Sequence, residues 1–328
     1  MSMKPVVVVY SSCDRIGEYL VREGVGEMAE LEVIEVGGSD GEKNLIAALQ
    51  RPRSTILLAD PPKLVPHLHH AKHLKWFQST YAGVDPIFKM GDARRDWALT
   101  RIAGVFGPKM AEYVVGQIIS NERHFKTFDR FQREALWPPD KNRIASYREL
   151  CTLTVGVLGL GDIGAEVARY ARFLGMKVHG VRRTKQPTPN VDVLFDESEL
   201  GAFLGSVDYI VNTLPSTPHT RGLLGGDVLR ECKKGCVLIN VGRGDVISEG
   251  CLVRAIEEGW LGGAVLDVFP VEPLPSTSPL WHLPGVTITP HISALSLSHQ
   301  VVSIFKANLQ RYLQNETLLY LVNWDQGY

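Results

Sequence analysis

A run of roughly 20 consecutive apolar residues, the least that a membrane-spanning helix needs, is missing from the sequence. Also missing are the basic flank, length and cleavage pattern that would make the apolar start, up to Tyr10, a secretory signal. Gln326-Gly327-Tyr328 at the other end is no targeting signal. The expectation is a cytoplasmic protein with no membrane partner. There is no excess of either charge, since 35 Lys and Arg stand against 36 Asp and Glu for a net charge of -1. No whole-chain field therefore draws in nucleic acid, and any anion must be held by local geometry.

Cysteine is scarce. The five present (Cys13, Cys151, Cys232, Cys236 and Cys251) are odd in number and form no CxxC pair, which suits reduced thiols rather than a disulfide framework. Cys232 and Cys236 are spaced for one helical turn but have no His or further Cys beside them. His67, His69, His70 and His73 lack an ordered acid and read as a solvated helix face. No metal site is expected from either group. A Ser-His-Asp hydrolase elbow and a basic stripe interleaved with aromatics are both lacking, which removes hydrolysis and nucleic-acid binding from the main readings.

What is present is enough apolar material for two cores: 328 residues, 45% of them hydrophobic, exceed what one domain core holds. Apolar runs at 6–10, 31–36, 56–59 and 76–79 alternate with amphipathic segments at 16–30 and 45–51, the βα rhythm of a parallel sheet. From Pro108 to 136 the apolar positions Met110, Val114, Val115, Ile118, Ile119, Phe125 and Phe128 recur at helical spacing, which predicts one long helix ended by Pro138. Strand-like runs then follow at 153–158, 177–181, 208–212, 237–241, 263–268 and 286–289. Residues 298–313 are helical in pattern and are expected to return to the first domain. The fold class is therefore α/β with two doubly wound parallel-sheet domains. A flavodoxin-like substrate domain takes residues 1–105 plus 292–328, and a Rossmann dinucleotide-binding domain takes 106–291. The proline-rich stretch 270–284 is expected to be an ordered loop at a functional edge.

Gly159-Leu160-Gly161-Asp162-Ile163-Gly164 follows one of these strands and opens a helix, the context that a dinucleotide fingerprint demands. Gly161 lets backbone approach a pyrophosphate, the helix start offers unpaired N–H groups to it, and Gly164 permits close packing of helix and strand. Where an acid would grip the ribose hydroxyls of NAD, the next strand ends in Val181-Arg182-Arg183-Thr184. Two guanidinium groups there can hold a 2′-phosphate, so NADPH is favoured as cofactor with NADH still possible.

Three polar residues each follow a strand of the second sheet: Arg243, Glu272 and His291. Ligands of open parallel sheets bind outside the carboxyl ends of the strands, so one crevice is expected to hold all three. Arg243 can bind a carboxylate and polarise a carbonyl, His291 can give the proton as hydride arrives, and Glu272 can orient the imidazole and favour its charged form. Gly242 and Gly244 read as leaving room for substrate and cofactor.

The stretches Gly159 to Gly164, Asn240-Val241-Gly242-Arg243-Gly244, Leu266-Asp267-Val268-Phe269-Pro270-Val271-Glu272-Pro273 and Thr289-Pro290-His291 together resemble the D-isomer-specific 2-hydroxyacid dehydrogenases over nearly the whole chain. The resemblance implies an oxidoreductase that passes hydride from NADPH to a small 2-oxo acid, with Arg243, Glu272 and His291 catalytic. It implies Asp267 near the nicotinamide carboxamide and Thr213, Leu214 and Pro215 in a second cofactor-lining loop. Asp162, Ile163, Thr184, Val241, Gly242 and Ser293 join the cofactor contacts, and the backbone of Ala82 and Gly83 binds the substrate carboxylate. Within the family, Arg182-Arg183 and Trp137-Pro138-Pro139 are similar to glyoxylate and hydroxypyruvate reductases. There a tryptophan near this point can reach a partner subunit's substrate pocket, which makes Trp137 a substrate-binding candidate and a homodimer the expected assembly. The segment Gly107-Pro108-Lys109-Met110-Ala111-Glu112 departs from the family in lacking an asparagine shortly before its Ala-Glu pair. A dinucleotide-sensing regulatory protein of the same fold is the alternative from another class.

Overall fold

The computed structural model describes residues 4–38, 40–90 and 95–325; the Gln326-Gly327-Tyr328 end read above lies outside them. The chain divides into two compact units, Met1–Val105 with Leu295–Tyr328, and Phe106–Ala294.

The first unit is built on five parallel strands, β1 (Val6–Tyr10), β2 (Glu30–Val33), β3 (Ser54–Ala59), β4 (Trp76–Ser79) and β5 (Ala98–Thr100), in the order β2-β1-β3-β4-β5. That is the flavodoxin-like order, which reverses between β1 and β3. All five residues of β1 are buried, as a β-branched run covered on both faces should be. The helix Ser298–Leu313 packs here through a stripe of Val301, Val302, Phe305, Asn308 and Leu309, the spacing of one helical face. Trp76 stacks against Phe305 with ring centroids 5.3 Å apart and against Tyr312 at 5.4 Å. The polar groups buried beneath the stripe are paired: Asn308 Nδ2 donates to Gln78 Oε1 at 2.9 Å, and Trp76 Nε1 to Thr100 Oγ1 at 2.8 Å.

Seven parallel strands make the second unit: β6 (Thr154–Leu158), β7 (Lys177–Val181), β8 (Val193–Phe195), β9 (Tyr209–Asn212), β10 (Val237–Asn240), β11 (Gly263–Leu266) and β12 (Val286–Ile288). Their order, β12-β11-β10-β9-β6-β7-β8, is the Rossmann order with one strand added beyond β11. Alternate side chains feed two cores. Val155, Val157, Tyr209, Val211 and Ile239 join one with the helix Gly107–Glu122, while Leu158, Ile210 and Leu238 join the other. This is the period-2 alternation of a sheet covered on both faces.

Several elements differ from the sequence reading. The long helix expected over 108–136 is two helices, Gly107–Glu122 and Phe125–Arg133, separated at His124 with φ 55°. No Pro or Gly marks the break; distant residues impose it. Glu122 is buried and accepts hydrogen bonds from the Arg148 side chain and backbone and from Tyr209 Oη at 2.6 Å, while His124 Nε2 meets Ser146 O at 2.7 Å. Segment 16–30 is likewise two helices, Ile16–Arg22 and Val25–Met28. The two strands that went unread, β5 and β8, have three residues each, too few to show a period.

The histidine cluster lies on a 3₁₀ helix, Val65–His70, that ends before His73, with the His69 and His70 rings 3.9 Å apart. Cys232 and Cys236 are separated by a turn rather than a helix, and all five cysteines are free. Among the described residues no group of three or more His, Cys, Asp or Glu is placed to hold a metal ion, and no helix is long and apolar enough to cross a membrane.

Phe305→Ala, which empties the stack on Trp76, is expected to destabilise the first unit by about 3–5 kcal/mol. Urea unfolding followed by tryptophan fluorescence measures it.

Candidate active site

In the second unit β6 runs into the glycine turn. Gly159 has φ 92°, and its carbonyl accepts a 2.6 Å hydrogen bond from Thr213 Oγ1, which holds the 213–215 loop beside the turn. A Cβ at Gly164 would stand 1.9 Å from Gly159 O, so that glycine is demanded by packing, whereas a Cβ at Gly161 would meet nothing within 4 Å. The helix Asp162–Phe173 starts there without a side-chain cap, its first N–H groups and dipole directed at open space. Open ground before an uncapped helix start at the β6/β9 reversal fits a dinucleotide pyrophosphate.

Arg182 and Arg183 follow β7, the neighbour of β6. Arg182 is half-buried and donates from Nη1 to Thr188 Oγ1 at 3.0 Å, while Arg183 and Thr184 are exposed. Thr213 and Leu214 are half-buried and Pro215 is exposed, all directly after β9.

The loops after β9 and β10 are joined by two buried amides. Asn212 and Asn240 end their strands in register, and Asn212 Nδ2 donates to Asn240 Oδ1 at 2.8 Å. Asn240 Nδ2 then donates to the Arg243 carbonyl at 3.0 Å, and Asn212 Oδ1 accepts from Leu214 N at 3.2 Å. The sequence reading gave neither side chain a role. The signal was a polar residue closing each of two buried apolar strands, Tyr209-Ile210-Val211-Asn212 and Val237-Leu238-Ile239-Asn240. The glycines around Arg243 serve a different need from the one expected. A Cβ at Gly244 would stand 2.0 Å from Phe269 C, and one at Gly242 would stand 2.7 Å from Leu214 O. Protein backbone stands where a Cβ would go at each.

Asp267 follows β11 and has no exposed surface. Its Oδ1 accepts from Thr289 Oγ1 at 2.5 Å and Ile292 N at 2.9 Å, its Oδ2 accepts from Ser293 N at 2.9 Å, and its carbonyl accepts from His291 N at 2.9 Å. These bonds hold His291 at φ 56°, a conformation uncommon for a residue with a side chain. Tyr113, another residue not singled out in the sequence, reaches Thr289 Oγ1 at 2.7 Å. Because the Thr289 proton goes to Asp267, Tyr113 is the donor.

His291 Nδ1 lies 2.8 Å from Glu272 Oε2, and Phe269 N donates to Glu272 Oε1 at 2.9 Å. Burial pushes the Glu272 carboxyl up, but the hydrogen bonds from His291 and Phe269 and the charges of His291 and Arg243 outweigh it and hold the group below its ordinary value. A carboxylate so held is an acceptor, which assigns the proton of this bond to Nδ1 and leaves Nε2 for other chemistry. The His291 side chain is 54% exposed and that of Glu272 34%, and Arg243 is half-buried. An imidazole bonded to a carboxylate, with a guanidinium whose field reaches that carboxylate, has the groups to protonate a carbonyl oxygen and bind a carboxylate.

The remaining predicted residues stand elsewhere. Ala82 and Gly83 belong to the first unit, half-buried in the turn after β4, and their backbone N–H groups find no acceptor among the described residues. Trp137, after the helix Phe125–Arg133, is 79% exposed with the Lys141 ammonium 5.3 Å from its ring centroid. Val241 and Ser293 are buried.

The family model for the NAD-binding domain of the D-isomer specific 2-hydroxyacid dehydrogenases matches residues 115–293. The chain belongs to that family. This bears out the resemblance read from the motifs, and the protein is an NAD(P)-dependent oxidoreductase with the two-domain α/β fold. Among curated proteins it is similar to glyoxylate/hydroxypyruvate reductase A of Escherichia fergusonii, 32% identical over 68% of this chain and 70% of that protein. Among solved structures it is similar to a D-isomer specific 2-hydroxyacid dehydrogenase family protein of Aeromonas salmonicida, with TM-score 0.88 and 36% identity over 98% of this chain and all of that one. It is also similar to an NADPH-dependent glyoxylate/hydroxypyruvate reductase of Sinorhizobium meliloti solved with NADP and sulfate, with TM-score 0.83 and 28% identity over 99% of this chain and all of that one.

The depressed value of Glu272 has a stability consequence of definite sign. The carboxylate's contribution is present above its ordinary value of 4.5 and is lost as pH falls through the lower value of the folded protein. The Tm difference between the dehydrogenase and its Glu272→Gln variant should therefore close as pH falls below 4.5, as thermal unfolding on the acid side would record.

Proposed function

We propose that this dehydrogenase reduces glyoxylate or hydroxypyruvate to the corresponding D-2-hydroxy acid with NADPH, using Arg243, Glu272 and His291. The observation that carries the reading is the 2.8 Å bond between His291 Nδ1 and a carboxylate held in its charged form. The names of the similar reductases support the substrate class.

The cofactor supplies hydride when bound before the glycine turn. His291 gives the proton from Nε2 to the carbonyl oxygen, so that one hydride and one proton together convert the 2-oxo acid to the alcohol. Glu272 stabilises the imidazolium before that transfer, and the exposed side of the ring allows it to regain a proton from water. Arg243 draws electron density toward the carbonyl oxygen, and the N–H groups of Ala82 and Gly83, which meet no acceptor among the described residues, take the carboxylate. Arg182 and Arg183, two guanidinium groups following β7, hold the 2′-phosphate of NADPH. The NADP bound in the similar Sinorhizobium enzyme supports that preference. The exposed apolar side chains of Phe125, Leu136 and Trp137 suit contact with a second copy in a homodimer.

Absorbance assays with NADPH or NADH against glyoxylate, hydroxypyruvate, pyruvate and phenylpyruvate test the assignment. Fast NADPH oxidation with either of the first two acids is expected, and cofactor binding without turnover of any acid would identify a dinucleotide sensor instead. Replacing Arg182 and Arg183 together by Ala should weaken NADPH far more than NADH; equal weakening rejects the 2′-phosphate role. His291→Ala should lower kcat by about 10²–10⁴-fold while cofactor affinity, read by fluorescence titration, is retained.

A further inference from the structure

Asp60 is a buried carboxylate that the chemistry above leaves unused. It follows β3 and occupies the position before the short helix Pro61–Leu64, where an aspartate ordinarily caps its own helix. Here the side chain makes no cap bond. It turns instead into the carboxyl edge of the first sheet, where its Oδ1 accepts from Ser11 Oγ at 2.5 Å and Thr80 Oγ1 at 2.6 Å. Its Oδ2 accepts from Ser12 N at 2.8 Å and Ser12 Oγ at 2.6 Å. Four donors satisfy an ionised carboxylate, and no cation pairs with it among the described residues. The group has no exposed surface, so it serves the protein rather than the solvent.

What it serves is Thr80, itself fully buried. Thr80 is held at its hydroxyl by Asp60, at its N–H by Ala59 O at 3.1 Å, and at its carbonyl by Ser296 Oγ at 2.7 Å. The next residue is fixed as well. Tyr81 N donates to Ser79 Oγ at 3.0 Å, Tyr81 O accepts from Ile102 N at 3.1 Å, and the Tyr81 side chain hydrogen-bonds Ser12. Among the described residues no acceptor meets the N–H groups of Ala82 and Gly83. A turn whose entry is pinned from three sides and whose next two N–H groups are so left is a preorganised pair of donors.

We propose that Asp60 is a positioning residue that, through Thr80, holds the turn after β4 so that the N–H groups of Ala82 and Gly83 converge on the substrate carboxylate. The role rests on the reading of those two groups as carboxylate binders. Its sign separates it from a through-space effect. A negative charge buried near an anion site repels the anion, so removing the charge would lower KM if field alone mattered; loss of positioning raises it.

The test compares the whole enzyme with its Asp60→Ala, Thr80→Val and Thr80→Ser variants, using glyoxylate and methyl glyoxylate as substrates and thermal unfolding as the folding control. The expected result is a KM for glyoxylate raised at least about tenfold in Asp60→Ala and Thr80→Val, with kcat within about twofold and NADPH affinity unchanged. Thr80→Ser, which keeps the hydroxyl, should return KM to near the parent value, and the preference for acid over ester should shrink in the two disabled variants. An unchanged or lowered KM in folded Thr80→Val, or a parallel fall of kcat and NADPH affinity, overturns the positioning role. If Asp60→Ala does not fold, Thr80→Val with its serine rescue decides. Should the parent enzyme turn over acid and ester alike, or neither, it is the carboxylate reading of Ala82 and Gly83 that fails; discrimination by the parent that the variants leave intact overturns only Asp60.

Discussion

The second unit's site hangs on one buried carboxylate. Asp267 sits where β11 ends, out of contact with water, and must find donors or bear the cost of an unsolvated charge. It finds them in Thr289, Ile292 and Ser293, the residues that flank His291. The demand that a buried ion be satisfied thus becomes a geometric instruction, because the loop after β12 can close around Asp267 in few ways. In the one observed, His291 takes a left-handed backbone and directs Nδ1 at Glu272. Tyr113 extends the same chain of bonds to the helix Gly107–Glu122, so that a core element and the imidazole share one network.

Backbone proximity does for Arg243 what the buried charge does for His291. Gly242 packs against Leu214 and Gly244 against Phe269, at distances that leave no volume for a methyl group. Three loops, after β9, β10 and β11, are therefore locked together at the level of main chain, and the Asn212–Asn240 amide pair fills the hydrogen-bonding needs that such close contact creates. The arginine is positioned by the shape of its neighbours' backbones before its own side chain makes any contact. Loss of register in any of these loops would pass to the others, since none can move without meeting another's carbonyl.

This explains which parts were legible in the sequence. The glycine turn, the tail helix and the trio announce themselves because each couples a residue type to a local period or a strand end. Ser298–Leu313 could be read to the residue because its buried stripe is complete within the segment. The break at His124 could not be, since the groups that cause it, Arg148, Ser146 and Tyr209, lie 22 residues or more along the chain. The roles of Gly242, Gly244, Asn212 and Asn240 were hidden for the same reason. Their partners are spatial neighbours from other loops, and sequence order carries no record of which carbonyl faces which Cα. Asp60 went unread for that reason too, since its oxygens are bonded to the loops of other strands.

The two edges of the second sheet divide the charged residues by task. At the amino edge Glu122 and Asp208 are buried and share Arg148, with Lys233 2.6 Å from Asp208 and Thr154 N donating to the same carboxylate. These bonds fix the starts of β6 and β9, and removing one partner would leave a buried carboxylate short of donors. At the carboxyl edge Arg243, Glu272 and His291 keep part of their surface open. A charge that must meet a ligand cannot be fully satisfied by the protein, and the fold answers by burying the groups behind it instead: Asp267, Asn212 and Asn240 are each at most 1% exposed. Rigidity is supplied by buried groups, while Arg243, Glu272 and His291 keep the open surface that the proposed reaction calls for.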